Sequence, residues 1–134
     1  MSYEMRGSYN HTKMARQLLR FDGLRYGNVT PMDVDGLIEW KNRKRAILEV
    51  KMKNVKVLDG ERLALERMVN DFYHAGKEAI AIVADHTVFD AKEDVMVKDC
   101  LVREIYHSSE KIWRPTNRMM TVEMLLSYFL RDTM

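Results

Sequence analysis

A single cysteine, Cys100, leaves no partner for an internal disulfide, and the four histidines are scattered without zinc-finger spacing. Proline and glycine are scarce too, with 2 and 6 residues, which excludes collagen-like and low-complexity chains. No apolar run approaches the roughly 20 residues that cross a bilayer. The N-terminal stretch MSYEMRGSYNHTKMARQ lacks the apolar segment of a secretory signal. Together these absences lead to the expectation of a soluble cytoplasmic protein with no membrane association and no structural zinc. An excess of one charge is also missing: 22 basic against 20 acidic residues give a net +2, so the whole chain does not advertise a polyanion partner. What is present is an ordinary globular composition, 46% hydrophobic and 31% charged, and 134 residues suit one domain, 1–134, with a real core.

The charge is unevenly spread. Lys41, Arg43, Lys44, Arg45, Lys51, Lys53 and Lys56 fall close together with only Glu49 among them. Lys13, Arg16, Arg20 and Arg25 form a second basic group around Asp22. Such local basic surfaces suit contact with a phosphate backbone, and they equally suit keeping a hairpin soluble.

Periodicity divides the chain into elements. Met14, Leu18 and Leu19 form the apolar stripe of a short helix over 10–20. Leu24–Thr30 reads as a first strand. After the helix-breaking Pro31, Met32–Trp40 alternates apolar with polar residues, the basic Lys41–Lys44 stretch containing Asn42 reads as a turn, and Arg45–Lys53 alternates again. Asp59 is the expected N-cap of a helix with Glu61 in its first turn, Leu65, Met68, Val69 and Phe72 along one face, and Gly76 as its stop. The run Ala79–Ala84, apolar on both faces, suits a central strand covered on both sides, with the preceding helix as its crossover. A further strand or hairpin is expected over Val95–Tyr106. The last helix, Thr121–Arg131, is apolar nearly all round, which fits either a two-fold interface or burial within one subunit. Cys100 reads as a small buried apolar residue.

The chemistry concentrates in Asp33, Asp35, Glu49 and Lys51, which all occupy odd positions. If the two strands pair about Asn42, residues whose numbers sum to about 84 lie opposite one another. Asp35 then faces Glu49 and Asp33 faces Lys51, all on one face of the sheet. Opposed Cβ atoms lie roughly 4.5–5.5 Å apart, which lets two carboxylates share a divalent cation with Mg–O distances of about 2.0–2.1 Å. Without a cation, facing carboxylates repel and raise one another's pKa, and one lysine neutralises three acids only in part. The same pattern also describes a solvent-facing strand with partial ion pairs.

These residues carry a resemblance. Pro31-Met32-Asp33-Val34-Asp35 followed by Glu49-Val50-Lys51 resembles the PD-(D/E)xK nuclease superfamily, and the chain's small size is similar to its Holliday-junction resolvases and its stand-alone virus-type replication-repair nucleases. Gly60-Glu61-Arg62 at the head of the crossover helix and Gly76 before the next strand are similar to the latter group. The resemblance spans about residues 10–86. It implies an α/β fold with a restriction-endonuclease-like core (α-β-β-β-α-β), a mixed sheet, helices on its faces and a C-terminal helix.

By the same resemblance, Asp35 and Glu49 are metal ligands, with the Val50 carbonyl as a third oxygen, for Mg²⁺ or Mn²⁺. Lys51 positions or polarises the attacking water. Asp33 is the motif aspartate in another register, a second-metal ligand or a charge behind the first. Many relatives carry Gln where this chain has Glu61, and a first-helix Glu where it offers only Glu4. The implied activity is a metal-dependent DNA endonuclease of repair or recombination, acting on branched DNA as a homodimer. The alternatives are an exonuclease or flap nuclease of the same fold, a DNA-binding module without catalysis, and a protein-interaction domain. Arg43, Lys44, Arg45 and Lys53 are the expected phosphate contacts. His86 is a further candidate for DNA or phosphate, and Trp113-Arg114-Pro115 either stacks on an unpaired base or closes the core.

Overall fold

The structure is a computed structural model, described here for residues 19–116 and 119–131. The chain separates into two compact units, Met1–Met32 and Asp33–Met134, and the sheet and helices described below all lie in the second. Of the expected first helix, 10–18 lies outside the described residues, and Leu19 and Arg20 have no regular structure. Leu24–Thr30 is not a strand. Tyr26 and Val29 exchange backbone hydrogen bonds of 2.9 and 3.0 Å around Gly27 (φ 65°), so Gly27-Asn28 forms a tight turn and removes the segment from any ladder.

The second unit begins with the hairpin that the alternation predicts. Strand β1 (Gly36–Trp40) pairs antiparallel with β2 (Lys44–Met52), Gly36 opposite Leu48 and Trp40 opposite Lys44. Each pair sums to 84. Lys41 (φ 50°) and Asn42 (φ 57°) reverse the chain, and the Arg43 N–H donates to the Trp40 carbonyl at 2.8 Å. β1 starts later than expected, so Met32–Asp35 precede the ladder.

Helix α1 (Asp59–His74) carries the chain over to β3 (Glu78–His86), which pairs parallel with β2. The N-cap is Leu58 rather than Asp59, which sits in the first helical turn. The Leu58 N–H donates instead to Glu61 Oε1 at 3.1 Å, so the third helical residue does the capping. Gly76 (φ 87°) ends the helix with paired bonds from its own N–H to Tyr73 and from Lys77 to Phe72. Ala79–Ala84 are all buried, as a strand covered on both faces requires.

A short 3₁₀ turn (Val97–Asp99) leads to β4 (Leu101–His107), antiparallel to β3, and an edge strand β5 (Trp113–Pro115) follows. The result is an α/β fold with a five-stranded mixed sheet in the order β1-β2-β3-β4-β5. Helix α2 (Val122–Phe129), capped by Thr121, closes the chain. Side chains of even number on β2 and β3 form one core with α2: Ala46, Leu48, Ile80, Ile82 and Ala84 with Val122, Leu125 and Phe129. Odd-numbered side chains face α1, whose Leu65 and Val69 are fully buried. α2 therefore buries one side within its own subunit and leaves Met124 and Tyr128 exposed. Cys100 is buried in the α2-side core, as expected.

Candidate active site at the end of strand β2

The odd-numbered face of β2 ends where the N-terminus of α1 arrives, and the acidic side chains gather there. One step beyond the last ladder pair, Gly36 opposite Leu48, the register sets Asp35 across from Glu49. Gly36 permits this closeness: a Cβ at that position would stand 2.9 Å from Leu48 Cδ1. The Asp35 carboxylate accepts from the Val50 N–H at 2.7 Å, which fixes it against β2. Lys51 Nζ donates to Glu61 Oε1 and Oε2 at 3.2 and 3.1 Å and lies 3.6 Å from Glu49 Oε1. Glu49 is nearly enclosed, with its side chain 7% exposed, and its Oε2 has no hydrogen-bond partner.

Burial and the neighbouring Asp35 charge push the Glu49 carboxyl up to about 7, with Glu61 adding to the rise and Lys51 only partly opposing it. Burial works against the Lys51 ammonium, but the carboxylates of Glu61 and Glu49 outweigh it and hold its pKa above the usual lysine value. Burial would likewise raise Glu61, yet the Leu58 N–H and the Lys51 ammonium hold it below the usual carboxylate range. Near neutrality the Lys51–Glu61 pair is therefore fully charged, and Glu49 is poised between its two protonation states.

The remaining expected site residues are distributed differently. Asp33 lies upstream of β1 and exposed; the partners of Lys51 are Glu61 and Glu49 rather than Asp33. Val50 contributes its N–H to Asp35. The hairpin-tip cations do not share the site. At about 3.3 Å per residue, Lys44 stands about 16 Å from Glu49 along β2. Lys44 Nζ donates to the carbonyls of Phe129 and Arg131 at 2.5 and 3.2 Å, and its side chain is 18% exposed. Arg45, 15% exposed, is bound to Glu39 at 3.3 Å and to Asn42 Oδ1 at 3.1 Å. Both therefore act as fasteners of the fold, their charged ends already engaged by protein partners. Arg43 is exposed at the tip and is likewise remote from the acids.

Lys53, by contrast, is exposed two residues past Lys51, and Lys56 is exposed on the same loop. His86 Nδ1 accepts from the Val88 N–H at 3.2 Å. Trp113 closes the odd-numbered face: its indole N–H donates to Glu66 at 2.8 Å, and Arg62 lies 4.6 Å above its ring. Sequence reasoning recognised Glu61 but not its hold on Lys51, because a helical position does not disclose which strand its side chain reaches.

Among the described residues no three His, Cys, Asp or Glu side chains converge as a ready-made metal cage. Nor is any helix among them long and apolar enough to cross a membrane. No family model, curated protein or solved structure matches the chain.

Proposed function

We propose that the protein is a metal-dependent deoxyribonuclease that hydrolyses phosphodiester bonds, with Asp35 and Glu49 as the acids that hold Mg²⁺ or Mn²⁺ and Lys51 beside them. The observation that carries this reading is Glu49: a nearly buried carboxyl, repelled by the Asp35 charge, with an unpartnered oxygen and a pKa raised to about 7. A divalent cation supplies what that arrangement lacks. The donor set is all oxygen, and two carboxylates suit Mg²⁺, which keeps several waters and takes remaining ligands from substrate phosphate. When bound, such an ion lowers the pKa of water and offsets charge on the phosphate undergoing attack.

The chain's own residues supply the rest. Lys51, fixed by Glu61, keeps a positive charge beside the two acids, where it orients water and opposes negative charge growing on the phosphate. Lys53 and Lys56, exposed on the loop that leaves β2, hold the backbone without reading sequence. Branched DNA is the preferred substrate class. One site cuts one strand, so paired cuts at a junction require a two-fold dimer, for which the exposed side of α2 with Met124 and Tyr128 is the candidate contact. That no three His, Cys, Asp or Glu side chains among the described residues form a ready-made metal cage also suits a second reading, a DNA-binding module of the same architecture without catalysis.

The test is a panel of defined junction, flap and linear DNAs incubated with Mg²⁺ or Mn²⁺, using wild type, Glu49→Ala and Lys51→Ala, with sedimentation alongside. Cleavage by wild type that both substitutions remove supports the nuclease. Equal cleavage by all three overturns it, and salt-sensitive binding without cleavage selects the second reading. A monomer at micromolar concentration rules out the dimer.

A further inference from the structure

Lys51 and Glu61 come from different elements, and the segment between them, residues 52–58, must be held for them to meet. That segment begins with a turn in which the Val55 N–H donates to the Met52 carbonyl at 3.0 Å and Asn54 adopts φ 72°. An exposed turn with a left-handed residue has little to fix it from within. Two anchors come from elsewhere: the Lys53 N–H donates to the His86 carbonyl at 2.8 Å, and Val57 is buried. The third is Arg103, from β4. The β3–β4 register steps from Val83 opposite Glu104 to Ala84 opposite Val102, which leaves Arg103 as the extra residue of a bulge. Its Nε donates to Asp85 Oδ1 at 2.8 Å, its Nη1 donates to the Val55 carbonyl at 2.7 Å, and its Nη2 reaches the Met52 carbonyl at 3.5 Å. Asp85 is the register partner of Lys51.

We infer that Arg103 is a positioning residue of the candidate active site, one that acts through the 52–55 turn to set Lys51 against Glu61. The guanidinium is suited to this because its planar fork serves a carboxylate and two carbonyls at once, which an ammonium cannot do with fixed geometry. Asp85, in turn, holds the fork in place. The inference rests on the nuclease reading only for its effect on turnover; the clamp itself is measurable without DNA.

The experiment compares wild type with Arg103→Ala and Arg103→Lys in three readouts. These are amide hydrogen exchange over residues 53–58, acylation of the Lys51 amine followed by mass spectrometry, and kcat and KM for DNA cleavage. Both variants are expected to exchange at least about tenfold faster over 53–58 and to acylate Lys51 faster. Both are expected to lose about tenfold in kcat with KM little changed, since loosening a positioned group acts on turnover. Arg103→Lys keeps the charge beside Asp85 but not the reach to both carbonyls, so it separates clamping from neutralisation. If Arg103→Ala does not fold, Arg103→Lys carries the test alone. Wild-type behaviour of Arg103→Lys in exchange and acylation, or unchanged Lys51 acylation in a folded Arg103→Ala, overturns the inference. Absence of cleavage by wild type, with exchange and acylation shifted as expected, leaves the clamp standing and removes the nuclease.

Discussion

Lys44 and Lys51 stand at the two ends of one strand, on opposite faces, and are similarly covered, with side chains 18% and 20% exposed. Their surroundings differ in how fully the charges are satisfied. Lys44 meets the carbonyls of Phe129 and Arg131 and the Glu78 carboxylate at 3.7 Å, with the Phe129 ring 5.3 Å away. It caps the carbonyls of Phe129 and Arg131 at the end of α2. Lys51 meets two carboxylates with a third acid beyond them, and Glu49 keeps an unpartnered oxygen. A buried cation with complete partners fastens a fold, whereas one set among surplus acid marks a place where another positive charge belongs.

The contrast is broken most severely by removing the surplus acid. Glu49→Ala is expected to lower metal-dependent cleavage about 1000-fold, whereas Lys44→Met leaves the rate within about twofold. Cleavage rates at saturating DNA check this, and a comparable loss in Lys44→Met contradicts the separation of the two ends. Next in size, Lys51→Met is expected to cost about 100-fold in kcat, with the protein still folded by circular dichroism.

A third expectation sharpens the comparison through pH. Folded, Glu49 keeps its proton up to about 7, whereas the unfolded chain releases it near 4.5. Between those values the folded state binds more protons, so stability falls as pH rises through the window. Urea unfolding is expected to show a decline on the order of 2 kcal/mol from pH 4.5 to 7.5 that is absent in Glu49→Gln. A slope of equal size in that variant assigns the effect elsewhere. Glu61, held below its usual range, has the opposite sign: its contribution is present above pH 4.5 and is lost at lower pH. The smallest expected effect is at the other end. Lys44→Met costs about 1 kcal/mol in stability through the uncapped carbonyls of α2, again read by urea unfolding.

Strand alternation was enough to pair β1 with β2 in the correct register, because each strand buries one face and a slip of one residue would invert it. The crossover helix and the apolar strand after it were legible for the same reason: their periodicity mirrors the surfaces they cover. Leu24–Thr30 misled because apolar residues flanking Gly27-Asn28 mimic a strand, whereas Gly27 at φ 65° turns the segment back on itself. Trp113–Pro115 gave no strand pattern, since a three-residue edge is too short to alternate. At the site, Asp35, Glu49 and Lys51 were visible as positions on one face. Charge density at the basic tip did not reveal that Lys44 folds back onto α2 or that Arg45 pairs with Glu39. The same blindness to distant contacts hid Arg103, whose role depends on a bulge between strands.

The most direct test of the central claim is calorimetric titration of the protein with Mn²⁺ at pH 7 in two buffers of different ionisation enthalpy. Wild type is expected to bind with release of a fraction of a proton from Glu49, and Glu49→Gln is expected to lose both the binding and the proton release. Equal uptake by the two proteins, or binding with no proton released, contradicts a cation seated on Asp35 and Glu49.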